Sequence, residues 1–132
     1  MRKLFWGGIH PEGHKDLSRG AAPVPAPLPA QVVLPMLQHI GAACTPVVKV
    51  GDQVRLGQKI GDGEGVCAPI HASVSGKVVA VEPRPHPNGQ DVLSVVIEND
   101  YMDTPDDTLK PHLTHKDLSA EEILRVIRDA GI

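Results

Sequence analysis

Short valine-rich runs alternate with turn residues between residues 45 and 98, and this alternation restricts the chain to a mainly β fold. β-Branched residues in runs of about four to eight, separated by Gly, Asp, Asn or Pro, are typical of strands. The predicted strands lie at residues 47–50, 54–56, 74–81 and 92–97. Between the last two, alternating prolines and then Asn88-Gly89 predict a stiff connection over residues 83–87 that ends in a tight turn. Short strands at this density favour a sandwich or a barrel.

A proline-rich segment precedes this β region. Prolines alternate along residues 23–29, and each fixes φ and favours an extended, polyproline-like backbone. Because Val32, Val33 and Leu34 follow at once and need burial, we expect the segment to wrap the domain surface as a strap. Residues 1–30 are therefore assigned to an N-terminal motif and this strap, and residues 31–100 to the β domain.

The final residues predict one helix. Ser119 and Glu122 have the spacing of a capping box, and Leu118 and Ile123 that of the accompanying hydrophobic staple. Gly131 can end the helix. The predicted helix carries one apolar stripe, which consists of Ile123, Leu124, Ile127 and Ala130. Since a helix of about eleven residues is marginal alone, we expect the stripe to dock on another domain. Residues 101–132 are thus assigned to a linker and a helix.

Composition argues against a nucleic-acid partner, and the lengths of the apolar runs argue against a membrane span. The chain has 132 residues, a net charge of -3 and only three aromatic residues, Phe5, Trp6 and Tyr101. A single-stranded nucleic-acid binder stacks bases on aromatic residues in a basic groove, so no nucleic acid is expected. The apolar runs are far shorter than the ~20 residues of a membrane span. Any association with a membrane should therefore come through another protein.

Histidine pairs invite a metal interpretation. His10 and His14 are four residues apart, and His112 and His115 are three apart. Neighbouring Pro and Gly residues argue against helices that would align either pair, and zinc sites need three or four converging ligands. The sequence predicts no metal site.

The two cysteines, Cys44 and Cys67, fit no metal or cluster spacing. Without a secretory signal they are expected to be free thiols. Cys67 is predicted to be a plain thiol, unless His71 approaches it in space. His39 and His71 stand in apolar stretches and are predicted to be buried histidines bonded to backbone, with an interface role as the alternative.

A glycine-rich stretch at residues 61–65 could be interpreted as a phosphate cradle. Such loops direct backbone amides at an anion from the start of a helix. This stretch instead carries Asp62 and Glu64, which repel phosphate, and strand-like sequence follows it. A flexible hairpin is the better interpretation.

Residues 50–81 resemble the biotinyl and lipoyl carrier family, whose fold is the barrel-sandwich hybrid. The residues that carry the resemblance are Val50-Gly51-Asp52, Val54, Gly57-Gln58, Ile60, Ile70, Ala72, Ser75-Gly76-Lys77-Val78 and Val81. Those carriers hold a prosthetic group on a lysine at a hairpin tip, about midway along this stretch. The corresponding region here, residues 61–67, contains no lysine, and Lys59 and Lys77 lie in the flanks. A covalent carrier domain is therefore a disfavoured alternative.

A narrower resemblance covers most of residues 5–100. The chain is similar to the N terminus of the C subunit of the Rnf ion-translocating electron-transport complex, the RnfC family. The blocks that match are residues 5–11, 27–35, 38–42, 46–52, 68–78 and 96–100. The fold implied is a mainly β barrel-sandwich hybrid with an extended proline-rich strap and one C-terminal helix.

The resemblance implies a bacterial oxidoreductase that exchanges electrons between NADH and ferredoxin and couples this to ion translocation across the membrane. It further implies a peripheral position on the cytoplasmic side of the cell membrane, in contact with other subunits. In that family FMN, NADH and two four-iron, four-sulfur clusters bind downstream of the barrel. The helix would lead into the flavin- and NADH-binding domain. No catalytic, cofactor-binding or metal residue of the family carries over onto this chain.

We therefore expect a non-catalytic structural and docking module of a larger, membrane-associated subunit. One alternative is a soluble electron-transfer protein of another redox pathway, since the family includes a proline-reductase-associated relative. A free-standing adaptor is a further alternative, against which the unpartnered stripe of Ile123, Leu124 and Ile127 argues.

Overall fold

A computed structural model describes residues 11–109 and 118–132. Most of the predicted N-terminal motif around Trp6 lies outside the described residues, as do His10, His112 and His115. The described elements, in chain order, are β1 (Gln31–Pro35), β2 (Thr45–Pro46), β3 (Gln53–Val54), β4 (Lys59–Asp62), β5 (Ile70–His71), β6 (Gly76–Pro85), β7 (Asp91–Asn99) and α1 (Ala120–Asp129). Among these residues no helix combines the length and the apolar character of a membrane span.

The strands form two antiparallel sheets that share one core. The larger sheet has the order β1-β7-β6-β3, and the smaller has the order β2-β4-β5. Both sheets contribute to the apolar interior, whose buried members are Met36, Cys44, Val54, Ile60, Ile70, Ala72, Val74, Val78, Val95 and Ile97. The predicted barrel-sandwich hybrid is confirmed.

Strand β6 is longer than predicted and includes two prolines. Pro83 pairs with Leu93 of β7 and Pro85 with Asp91, so the predicted connection over these positions is wrong. The reason is the position of β3, which pairs only with the first two residues of β6. The backbone of Val78 still bonds to Gly51 and Asp52 on that side. Beyond Val78 this side of β6 is an edge among the described residues, where no partner strand requires the amide hydrogen that a proline lacks. The predicted tight turn at Asn88-Gly89 is confirmed, with Gly89 at φ +85.

The predicted strand at residues 47–50 is also wrong, because the short strand β2 ends before it. Turn chemistry prevails over β propensity here. The carboxylate of Asp52 accepts a hydrogen bond from the Lys49 amide at 3.0 Å, and the Asp52 amide donates to the Lys49 carbonyl at 3.1 Å. Val47 and Val50 are left exposed, while Val48 packs against the core.

The proline-rich strap is hydrogen-bonded to the barrel where it ends. The Asn99 side chain donates to the Pro29 carbonyl at 3.0 Å, and the Asn99 amide donates to the Ala30 carbonyl at 2.9 Å. Upstream of this anchor the side chains of Val24 and Leu28 are 85% and 69% exposed. The expected wrapping is therefore wrong for these two side chains.

Residues 101–109 are attached to the barrel beyond the boundary predicted at residue 100. The hydroxyl of Ser75 donates to the Asp100 carboxylate at 2.6 Å and accepts from the Thr104 amide at 2.9 Å. Leu56 exchanges backbone hydrogen bonds with Thr104 and Asp106. This segment thus closes over the β3 edge of the larger sheet.

The predicted capping box of α1 is confirmed. The Ser119 hydroxyl accepts from the Glu122 amide, and the Glu122 carboxylate accepts from the Ser119 amide at 2.8 Å. Gly131, at φ +80, lies just past the end of the helix. None of the helix residues is fully buried.

Gly76 is a position where only glycine fits. Its φ is +152, and a Cβ added there would lie 1.9 Å from the Glu98 carbonyl oxygen. We expect Gly76→Ala to destabilise the chain by at least about 3 kcal/mol, since backbone must move in the central hairpin. Gly89→Ala is the matched control, because its φ is also positive but no atom of the described residues lies within 4 Å of an added Cβ; it should cost about 1 kcal/mol. Urea unfolding measures both, and equal losses would contradict the steric explanation.

Deletion of residues 116–132 should leave the β module folded, because no residue of α1 belongs to the buried core. The expected loss in unfolding free energy is about 1 kcal/mol, the scale of the surface ion pairs that α1 forms with β4. Thermal unfolding followed by circular dichroism checks this. Loss of a cooperative transition on deletion would show that the helix belongs to the core.

Candidate functional site

The hairpin tip at which carriers hold their lysine is formed here by the loop between β4 and β5. This loop, residues 63–69, joins two antiparallel strands and contains no lysine. The glycine-rich stretch lies in a hairpin, as predicted, with Gly61 and Asp62 in β4 and residues 63–65 in the loop that leads to β5.

The two flanking lysines are placed away from this tip. Lys59 begins β4, and its ammonium contacts the carboxylates of Asp62 at 3.1 Å and Asp129 at 3.3 Å. The hydrogen bond to Asp62, more than any other contact, raises the pKa of Lys59. Lys77 lies in β6 between Gln53 and Glu98 of the neighbouring strands. Neither lysine stands where a carrier holds its prosthetic group.

The tip folds back onto the segment that follows β1 and brings three potential ligands together. The donor atoms of His39, Cys44 and Cys67 all lie within 4.8 Å of one another. The two sulfur atoms are 2.9 Å apart, and both cysteines are free. We refer to these three residues as the sulfur–imidazole cluster.

One backbone hydrogen bond joins the two segments of the cluster: the Ala42 amide donates to the Val66 carbonyl at 2.9 Å. Within the first segment, the Cys44 amide donates to the Met36 carbonyl at 2.7 Å. Glycine supplies the space between the segments, since a Cβ at Gly41 would collide with the Val66 carbonyl oxygen. The close approach of the segments therefore depends on the absence of a side chain at Gly41.

The environments of the two thiols differ. Cys44 is only 4% exposed, whereas Cys67 is half-buried. Burial, and then the hydrogen bond with Cys67, raise the pKa of the Cys44 thiol to about 12. The Cys44 thiol also donates to the Ala68 carbonyl at 3.2 Å. Cys44 is therefore protonated at neutral pH when no cation displaces its proton.

Histidine placement differs in part from the sequence-based expectation. His39 is half-buried, and its Nε2 accepts from the Ala68 amide at 3.1 Å, as predicted for a histidine bonded to backbone. His39, rather than His71, is the imidazole that approaches Cys67. His71 lies beside the end of α1, where a Cβ added at Gly131 would be 3.4 Å from its Nδ1. The sequence missed the cluster because its members are five and twenty-three residues apart, a spacing that matches no motif.

The C-terminal end of α1 is joined to β4 and the tip by charge. Arg128 donates to the Gly63 carbonyl at 2.9 Å and lies 3.7 Å from the Asp62 carboxylate. The Gly63 amide, followed by the Lys59 ammonium, lowers the pKa of Asp62. This polar junction, formed by Lys59, Asp62, Arg128 and Asp129, fixes the helix beside the tip.

With α1 fixed in this position, its apolar side chains differ in burial. Ile123 and Val126 are half-buried, whereas Leu124 and Ile127 remain 66% and 41% exposed. These two exposed side chains are three residues apart and so lie on one face of the helix.

Comparison with known proteins places these features in a family. Residues 3–102 match the family model described as the RnfC barrel sandwich hybrid domain. The chain is 51% identical over 97% of its length to the C subunit of the Na(+)-translocating ferredoxin:NAD(+) oxidoreductase complex of Acetobacterium woodii. It is 41% identical over its full length to the C subunit of the proton-translocating ferredoxin:NAD(+) oxidoreductase complex of Clostridium ljungdahlii. In each case the chain spans 29% of the relative's length.

The polar junction should depend on pH through Asp62. Its pKa in the folded state lies below the ordinary value of 3.8, so its stabilising effect is complete at neutral pH and is lost as the pH falls through the folded-state pKa. We expect Asp62→Asn to lower the unfolding free energy by roughly 1 kcal/mol at about pH 7 and by less at about pH 3.

Thermal unfolding at both pH values measures this difference. Glu64→Gln is the control, since Glu64 is an exposed carboxylate of the same tip. A loss for Asp62→Asn that grows on acidification would contradict the assigned role of the carboxylate.

Proposed function

The chain belongs to the family of RnfC barrel sandwich hybrid domains, and from this premise we propose that it is the non-catalytic N-terminal docking module of an Rnf-type electron-transport subunit. The observation that carries the proposal is the exposed apolar face of α1, Leu124 and Ile127, on a helix whose C-terminal end is fixed to the barrel. A helix held in this way presents its apolar face in a defined direction. Its occupant is the part of the subunit that follows in the longer relatives.

The barrel is suited to structural work rather than to transfer of a covalently bound group. Its tip carries no lysine, and Lys59 is engaged by two carboxylates. The protonated amine of Lys59 is a poor nucleophile for attachment of a prosthetic group. This favours the docking module over a biotinyl or lipoyl carrier.

The family's redox cofactors do not fit the residues present. A four-iron, four-sulfur cluster takes four cysteine ligands, and the sequence contains two cysteines. The glycine-rich tip leads from β4 into β5, not into a helix, and Asp62 and Glu64 oppose an anionic phosphate. We therefore assign FMN, NADH and both clusters to the downstream part of the subunit.

The proposal extends to the whole subunit. This subunit would take part in electron exchange between NADH and ferredoxin, coupled to ion translocation, at the cytoplasmic side of a bacterial membrane. The names of the Acetobacterium and Clostridium relatives support this assignment. Other subunits of the complex would be further partners of the module. The alternative of a soluble electron-transfer protein in another redox pathway uses the same docking face, because it needs the same downstream flavin domain.

The docking face can be tested with the downstream part of the Acetobacterium woodii relative, expressed separately. Leu124→Glu and Ile127→Glu should each weaken its binding to the chain about tenfold or more, because each removes a buried apolar contact worth about 1.5–3 kcal/mol. Leu28→Glu is the matched control, since Leu28 is as exposed as Leu124 but lies in the strap. Isothermal titration measures all three, and equal weakening by the control would contradict the proposed face.

Intact-mass measurement and ligand titration test the non-catalytic assignment. We expect the mass calculated from the sequence, and no tight binding of NADH or flavin. An adduct of biotin or lipoyl size on Lys59 or Lys77 would instead establish the carrier. A tightly bound flavin or nicotinamide would contradict the assignment of these cofactors to the downstream part.

A further inference from the structure

We propose that the sulfur–imidazole cluster is a binding site for a thiophilic divalent cation, with Zn²⁺ as the representative ion. His39, Cys44 and Cys67 offer one nitrogen and two sulfur donors, a set that suits zinc among the abundant divalent metals. The site lies in the barrel itself and does not depend on the docking function of α1.

Three separate backbone positions converge to form the site. His39 and Cys44 lie on the segment between β1 and β2, and Cys67 lies on the tip between β4 and β5. All three donor atoms lie within 4.8 Å of one another, which is the scale of ligand separations around one tetrahedral zinc ion. Convergence of ligands from two segments is what a bound cation would stabilise.

The lone pair of His39 already points to the chain segment that carries Cys67. Its Nε2 accepts a hydrogen bond from the amide of Ala68, the residue after Cys67, at 3.1 Å. Nε2 of a neutral imidazole is a usual zinc ligand. Coordination at Nε2 would exchange the Ala68 amide for the cation.

Charge balance favours the site only with a divalent cation. Two thiolates compensate the charge of one Zn²⁺, so the loaded cluster is neutral in its partly buried position. On binding, the Zn²⁺ ion forms two Zn–S bonds and the protons of the thiols pass to solvent. The apparent affinity should rise with pH.

A disulfide is the rival use of the same two sulfur atoms. Zn–S bonds of about 2.3 Å at a tetrahedral angle place the sulfurs about 3.7 Å apart, whereas a disulfide brings them to about 2.05 Å. The observed 2.9 Å lies between these values and decides neither way. His39 favours the cation, because it adds to the two sulfurs a third donor of a kind that zinc binds.

The geometry leaves access for the ion and for a fourth ligand. Cys67 and His39 are half-buried, so one side of the cluster reaches solvent. A Cβ at Gly41 would lie 2.8 Å from His39 Nδ1, and one at Gly63 would lie 2.9 Å from the Cys67 sulfur. Glycine at both positions keeps a Cβ atom from crowding these two ligands. Three protein ligands with an open position filled by water is a known arrangement for zinc.

Zinc titration of the reduced full chain, in competition with a colorimetric chelator, tests the proposal. We expect one Zn²⁺ per chain, release of about two protons and protection of both thiols from alkylation. Cys67→Ser and His39→Ala should each weaken binding at least about tenfold, a loss that even supporting residues of zinc sites produce. His86→Ala is the control, because His86 lies in the turn between β6 and β7 and should leave the affinity unchanged.

Cys67→Ser and His39→Ala alter half-buried positions, so their thermal unfolding can be checked before binding is compared. Cys44→Ser alters the buried core and is secondary. Failure of the reduced chain to bind zinc, or equal binding by Cys67→Ser, would overturn the site. A chain isolated with a mass deficit of two hydrogen atoms that binds no zinc after reduction would assign the sulfurs to a disulfide instead.

Discussion

The antiparallel ladder between β6 and β7 is the interaction on which the rest of the barrel depends. It pairs Gly76 with Asn99 at one end and Pro85 with Asp91 at the other, and β1 and β3 attach to its two sides. The ladder can begin at Gly76 only because that residue has no side chain to meet the Glu98 carbonyl. Asn99, at the same end, binds the strap through Pro29 and Ala30. One end of a single hairpin thus sets the register of the larger sheet and fixes the point where the N-terminal segment joins it.

Local signals in the sequence predicted the elements that local chemistry determines. The capping box of α1 and the turn at Asn88-Gly89 depend on residues within four positions of each other, and both are confirmed. The strand predicted at residues 47–50 is wrong because the local turn between Lys49 and Asp52 prevails over β propensity. The other error in the strands arose where a distant strand decides the outcome. Proline at residues 83 and 85 is compatible with β6 only because β3 ends before it reaches these positions. The sequence around the two prolines does not show where β3 ends.

The candidate sites also have features that local sequence predicts and features that depend on distant contacts. The exposed stripe of α1 could be predicted because helical spacing is a local property, although its partition into a half-buried and an exposed side could not. The sulfur–imidazole cluster depends on the fold-back of the tip onto the segment after β1, a contact between residues more than twenty positions apart. The separate interpretations of His39, Cys44 and Cys67 as ordinary core or surface residues were reasonable one at a time. Only their convergence gives them a shared chemistry.

The open side of β6 has a consequence for how copies of this domain behave beside one another. An unpaired strand edge is a template onto which another chain can add, and crowded β proteins aggregate by that route. Here Pro83 and Pro85 interrupt the row of amide hydrogens along the edge, and the ion pair of Glu82 with Arg84 adds charge to the same stretch. A barrel in which this side of β6 pairs with no strand of the described residues is thereby protected against edge-to-edge polymerisation. The prolines that make β6 hard to recognise in the sequence are the same residues that make its exposure tolerable.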